Sequence, residues 1–301
     1  MGTPHAAMPT LERLVADGHD VAAAYTQPDR PAGRGQKLTA PPVKELALQY
    51  GLEIRQPLKI KTDEAFDEFR SLNADAAIVV AYGRILPESW LTAFPIGAIN
   101  VHFSLLPKYR GAAPVNWAIA NGETETGVTT MQMDAGLDTG DILLQRRVKI
   151  GPEENAVELT GRLALVGAEL LAETLASLDT ITPTPQDDLA ATFAPIMKRE
   201  DGLIDWSRSA KEIADRVRGF QPFPTTFTHS KGSRLTIWRA LATEGSGSPG
   251  EIIAASADEL RVGAGDGVLS ILELQPEGKR RLAVRDYLNG AKVAVGDKFG
   301  I

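Results

Sequence analysis

The run AAIVVAY at 76–82, with no charged or amide side chain at any of its seven positions, most narrows what this chain can fold into. A strand that faces water on one side alternates polar and apolar residues, so an unbroken run of this length predicts a strand covered on both faces, as in a parallel sheet flanked by helices. Two runs resemble it, HDVAAAYT at 19–26 and GAINVH at 97–102, and further strands are expected at 127–133 and 141–150. Helical patterns lie between them at 9–17, where Gly18 stops the helix, and at 43–50, 62–72 and 114–121. A long closing helix is expected over 155–178, with Leu159, Leu163, Val166, Leu170 and Leu171 on one side. This alternation predicts an α/β domain with a Rossmann-like, mostly parallel sheet.

The composition changes near residue 180. Residues 180–208 hold three Pro and little periodicity, which reads as a linker crossing the surface of the first domain. A helix at 209–218 and five short β-rich runs follow, at 223–229, 234–242, 249–255, 259–263 and 267–274, separated by turns such as GSGSPG. Their number and length predict a small OB-like β-barrel. The expected division is therefore a domain over 1–180, a linker over 181–208 and a second domain over 209–301. Charge follows the same division. Between Ser207 and Ile301 there are 14 basic against 11 acidic side chains, and elsewhere 18 against 28, so an acidic body carries a mildly basic C-terminal region. With no Cys, a disulfide, a thiolate nucleophile and a Cys-ligated metal are excluded, and the four His at 5, 19, 102 and 229 are too scattered to suggest a zinc site. No apolar run reaches membrane-spanning length, so the expected location is the cytoplasm.

The chemistry concentrates in two segments, NVHFSLLPKYRG at 100–111 and GLDTGD at 136–141. Asn100 and His102 stand two apart near the end of an expected strand and so face the same side, where sites in open α/β sheets form. With Asp138 they supply an amide, an imidazole and a carboxylate. Two of these can donate to the oxyanion that forms when an amine attacks a carbonyl, and the third can take the amine's proton. Ser104 beside His102 offers a nucleophile instead, but the segment lacks the G-x-S-x-G elbow.

Four stretches carry a family resemblance: TQPDRPAGRGQKL at 26–38, VVAYGRILP at 79–87, NVHFSLLPKYRGAAPVNWAI at 100–119 and GETETGVTTMQMDAGLDTGDIL at 122–143. With LQPEGKR near the C-terminus, they resemble the methionyl-tRNA formyltransferases, within the wider group of formyltetrahydrofolate-dependent formyltransferases. The resemblance implies formyl transfer from 10-formyltetrahydrofolate to methionyl initiator tRNA, without a metal, by a catalytic trio at Asn100, His102 and Asp138. It places the folate against backbone groups of Val80, Ala81, Tyr82, Gly83, Arg84, Ile85 and Leu86, and beside Ser104, Leu105, Leu106, Pro107, Asp134 and Gly136. It implies tRNA contacts from Arg30, Arg34 and Lys37 in the loop 27–42, and from Lys279, Arg280 and Arg281. That loop holds four Pro and two Gly and is expected to lack regular structure. A small amine as formyl acceptor, and an inactive RNA-binding relative, are the competing readings; the RPAGRG loop counts against the first and the complete trio against the second. A monomer is expected.

Two departures from the family pattern stand out. Phe103 fills a place between His and Ser where many relatives carry a small residue. The family also begins with an apolar strand before a Gly-Thr-Pro turn, whereas here Met1 directly precedes Gly2, Thr3 and Pro4. A start placed too late or a shortened chain would produce this. The sheet is then expected to lack its first strand, with unpaired ladder groups on two neighbours, a gap under the site and low stability.

Overall fold

A computed structural model describes residues 1–33, 35–291 and 293–300; Arg34, expected to contact tRNA, lies outside them. The chain forms two compact units, one of Met1–Pro114, Glu125–Lys149 and Thr160–Pro195, the other of Val115–Thr124, Ile150–Leu159 and Ile196–Ile301. Both the α/β class and the small β-rich C-terminal part expected from the sequence are observed.

The first unit opens with α1 (Met8–Ala16), β1 (Ala24–Tyr25), β2 (Arg30–Ala32), β3 (Lys37–Thr39), α2 (Pro42–Gln49) and β4 (Ile54–Arg55). It continues with α3 (Asp63–Arg70), which Thr62 caps by accepting the Ala65 N–H at 3.3 Å, then β5 (Ala76–Val79), α4 (Glu88–Leu91), β6 (Gly97–His102) and β7 (Arg110–Gly111). The long strands β8 (Glu125–Gln132) and β9 (Ile142–Lys149) complete a sheet of order β5-β6-β8-β9. In it β5 and β6 run parallel, and β8 and β9 are antiparallel to their neighbours. Helix α5 (Pro114–Ala120) precedes β8, and α6 (Ala156–Ala176) follows β9. Leu163, Leu170 and Leu171 of the expected apolar stripe are buried and Val166 is half-buried. A methyl on Gly167 would come within 2.8 Å of Val101 Cγ1, so α6 lies directly against β6. On the other side Tyr25, Phe69, Trp90 and Phe94 form an aromatic core, with Phe69 and Trp90 stacked at 4.2 Å.

The segment 27–42 is not the irregular loop expected from its prolines: β2 and β3 form an antiparallel ribbon with Pro31 opposite Leu38. A two-stranded ribbon has free edges on which a residue without an N–H costs nothing, and Gly33, Gly35 and Gln36 supply the positive φ angles of its turn.

The expected strand at 19–26 shrinks to Ala24–Tyr25, which pairs with β4 and not with β5. Met1 and Gly2 bridge the two sheets: Gly2 N donates to Tyr25 O and Val80 N to Met1 O, both at 2.9 Å. Beside this two-residue stub lies a cavity of about 480 Å³ lined by Met1, Leu11, Ala22, Ala24, Ala76 and Ile78, among others. The cavity is lined from both sheets, by Ala24 and Tyr25 of β1 and by Ala76, Ala77 and Ile78 of β5. The Met1 ammonium is buried in it, donating to Ile78 O at 2.7 Å, and burial lowers its pKa to about 5.

In the first unit, β10 (Phe193–Ala194) pairs in parallel with β7, inside the stretch read as linker. The second unit contains α7 (Ala210–Gly219), opened by a reciprocal Ser209–Glu212 capping box, and strands β11 (Thr226–Ser230), β12 (Ser233–Thr243), β13 (Ile252–Ser256), β14 (Glu259–Gly263), β15 (Val268–Pro276) and β16 (Leu282–Ala283). They pair in the order β11-β12-β15-β14-β13, with β16 also on β15 and α8 (Val284–Gly290) after it. Strand β11 starts three residues later than expected because Pro222 and Pro224 have no N–H for a ladder. Ile213 and Val217 of α7 pack with Leu235, Ile237, Leu260 and Ile271 of the sheet.

Candidate active site

Strand β6 carries Asn100 opposite Val79 of β5 and Met131 of β8, and His102 opposite Thr129, so both come from the interior of the sheet. His102 is 6% exposed, and its Nε2 lies 3.0 Å from the carbonyl of Tyr109. A carbonyl only accepts, so Nε2 carries a proton and Nδ1 is left for chemistry. Nδ1 lies 3.7 Å from Asp138 Oδ2, and that oxygen also accepts the Gly111 N–H at 2.7 Å. Residues 109–111 thus hold the imidazole at one end and the carboxylate at the other. Gly111 has φ 122°, and a Cβ there would sit 2.6 Å from Ala194 O, so only glycine fits.

The expected folate segments divide into anchored and open parts. Val80, Tyr82 and Leu86 are buried, while Ala81, Gly83 and Ile85 are exposed and Arg84 is intermediate. Burial raises the Tyr82 phenol pKa, so the ring stays neutral, and Tyr82 O accepts from Thr3 Oγ1 at 3.0 Å and Gln27 Nε2 at 3.1 Å. Gln27 Oε1 in turn accepts from Arg30 at 3.3 Å and Arg84 at 3.2 Å, which ties the base of the β2–β3 ribbon to this loop. The sequence reading passed over Gln27, whose only signal is its place before Pro28.

Ser104 is fully buried, and its hydroxyl donates to Lys108 O at 2.6 Å, so it does not face His102 as a nucleophile would. Thr129 Oγ1 donates to Ser104 O and accepts from Leu106 N, and Gln145 Nε2 donates to Leu106 O, which fixes Ser104 to Leu106 with Leu105 and Pro107 half-buried around them. Phe103 is buried, against α6 beside Gly167. Asp134 accepts from Thr139 Oγ1 at 2.7 Å and from Gly136 N at 3.1 Å, closing the loop that ends on Asp138. Arg30 and Lys37 are exposed on the ribbon. Lys279 and Arg280 are exposed on the turn between β15 and β16, while Arg281 pairs with Glu273 and lies 5.1 Å from the Trp238 ring. Among the described residues, no group of three or more His, Asp or Glu side chains could hold a metal ion, and no helix is long and apolar enough to cross a membrane.

The buried His102 imidazole is thus held toward the Asp138 carboxylate at the end of an α/β sheet. A family model described as "Formyl transferase" matches residues 1–175, and another, "Formyl transferase, C-terminal domain", matches 196–292. The chain belongs to the formyl transferase family. Proteins named methionyl-tRNA formyltransferase from Geobacter metallireducens and Solibacter usitatus are each 50% identical over 100% of this chain and 97% of their own length. The fold is also that of an N-formyltransferase from Helicobacter canadensis solved with folinic acid and dTDP-3-aminofucose. That likeness has a TM-score of 0.68 and 18% identity over 93% of this formyl transferase and 97% of the other chain.

Proposed function

We propose that this formyl transferase moves the formyl group of 10-formyltetrahydrofolate to the α-amino group of methionyl initiator tRNA, preparing that tRNA for translation initiation. The observation that carries the reading is the pairing of His102 Nδ1 with Asp138 at 3.7 Å while Nε2 is committed to Tyr109 O. The amine nitrogen attacks the formyl carbon, and the carbonyl oxygen becomes an oxyanion that the Asn100 amide and a protonated His102 Nδ1 stabilise. Asp138 takes the amine's proton directly or through one water. When the carbonyl re-forms, the bond to the folate nitrogen breaks and that nitrogen takes the proton from His102. The route asks for no metal, because side chains supply both the donors and the proton acceptor.

Val80–Leu86 and Asp134–Gly136, loops at strand ends with exposed residues, and the anchored segment Ser104–Pro107 suit a flat folate head. The exposed Arg30 and Lys37 of the ribbon, and Lys279 and Arg280 with the paired Arg281, supply cations for tRNA phosphates. In the same reading residues 1–180 carry the reaction and 209–301 bind tRNA, with 181–208 between them, and the enzyme works as a cytoplasmic monomer. The test is formyl transfer to charged initiator tRNA by the parent, His102→Ala and Asp138→Ala. Transfer lost in both variants supports the reading. Transfer to glycinamide ribonucleotide alone, or tRNA binding without transfer by the parent, overturns it.

A further inference from the structure

Asp138 has φ 53°, a left-handed conformation that a residue with a Cβ holds only when its surroundings impose it. The Asp138 carbonyl is bonded to Gln186, a residue of the stretch that sequence alone reads as a linker. Its Nε2 donates to two carbonyls of the catalytic loop, Asp138 O at 2.9 Å and Gly140 O at 2.7 Å. Its Oε1 accepts from Arg110 Nε at 3.0 Å. Arg110 is 4% exposed, pairs with Asp188 at 2.8 Å, and lies between the two residues whose backbone groups hold His102 and Asp138. One side-chain amide therefore joins the loop that presents the carboxylate to the segment that orients both reacting groups.

We propose that Gln186 is a positioning residue for the formyl transfer, setting the distance and direction of Asp138 toward His102 through the backbone of the 138–140 loop. The inference rests on the reading of Asp138 as the proton acceptor. An amide suits the role because it donates twice with one nitrogen and accepts with its oxygen. A carboxylate of the same length keeps the contact to Arg110 but turns both carbonyl contacts repulsive. A shift of about 1 Å in a reacting group lowers turnover by as much as about 100-fold without weakening substrate binding.

The experiment compares kcat, KM for each substrate and melting temperature for the full chain, Gln186→Leu, Gln186→Glu, Asp138→Ala and the double variant Gln186→Leu/Asp138→Ala, assayed with 10-formyltetrahydrofolate and methionyl initiator tRNA. The expected result is a kcat loss of about 10- to 100-fold in both Gln186 variants, with both KM values within about 3-fold of the parent. Once Asp138 is absent, Gln186→Leu is expected to cost nothing further, because a residue acting through Asp138 has nothing left to position. Parent-like kcat in either folded Gln186 variant overturns the inference, as does a full additional loss in the double variant. Should Gln186→Leu fail to fold, Gln186→Glu, which preserves side-chain volume and the Arg110 contact, decides the matter. A parent-like Asp138→Ala overturns the reading of Asp138 itself, an outcome distinct from failure at Gln186.

Discussion

The buried amine of Met1 makes the stability of the first unit depend on pH in a direction that can be worked out. The ammonium sits beside the 480 Å³ cavity, and its pKa falls from an ordinary 8.0 to about 5 through desolvation. Above pH 8 the amine is neutral in both folded and unfolded chains and contributes nothing. As pH falls from 8 toward 5, the unfolded chain takes up a proton that the folded chain refuses, so folding loses about 1.4 kcal/mol per pH unit. Below pH 5 both states are protonated and the loss stays at about 4 kcal/mol. Between pH 7.5 and 5.5 the effect is about 2.5 kcal/mol, or roughly 5–10 °C in Tm for a unit of this size.

The matching perturbation replaces Met1 with about eight apolar residues ahead of Gly2, long enough to run through the cavity as a strand at about 3.3 Å per residue. The charge leaves the interior and the ladder groups flanking Met1 and Gly2 gain partners. Thermal melts of both chains at pH 8.5, 7.5, 6.5 and 5.5 are the assay. The extended chain is expected to melt higher at every pH, with the difference widening by about 5–10 °C between pH 7.5 and 5.5. Histidines and carboxylates titrate alike in both chains and cancel in the difference. Equal melting temperatures would refute a strand running through the cavity, and a difference constant with pH would refute the buried amine.

Other perturbations test separate parts of the chain. Gly111→Ala puts a methyl 2.6 Å from Ala194 O at φ 122° and is expected to cost about 1–3 kcal/mol, with turnover falling because the Gly111 N–H leaves Asp138; a urea titration and kcat read the two effects. Asp215→Ala strips the buried carboxylate that pairs with Arg218 at 2.8 Å and is expected to cost about 3 kcal/mol; a parent-like urea midpoint would show the pair to be idle. Lys279→Ala with Arg280→Ala is expected to weaken tRNA binding, lower the slope of log Kd against log salt by about 1–2, and leave the KM for folate unchanged.

Strand β6 and the placement of Asn100 and His102 could be read directly from the sequence, because burial on both faces leaves an apolar run and the two-residue alternation places the two side chains on one side. Strand β1 could not, since its length depends on what lies beside it: HDVAAAYT has the composition of a strand, but it pairs in register with β4 at Ala24 and Tyr25 alone among the described residues. The β2–β3 ribbon was obscured by prolines that exclude a central strand and leave an isolated pair possible.

The residues that fix the site were hidden for a different reason. Tyr109, Gly111, Gln186 and Thr192 hold it through a few hydrogen bonds, mostly to or from the backbone, which leave no periodicity and no cluster of chemical types. Thr192 shows how far this extends: its hydroxyl accepts Tyr109 N–H at 2.9 Å and its carbonyl accepts Arg110 N–H at 2.9 Å, so it anchors the segment that in turn anchors His102. A stretch poor in Gly and in apolar pattern reads as a connection, yet its contribution lies in where its polar atoms end. In this fold the candidate site side chains come from a strand and a loop recognisable by composition, while the segments that carry them are bonded to Gln186 and Thr192, in a stretch whose composition carries no such signal.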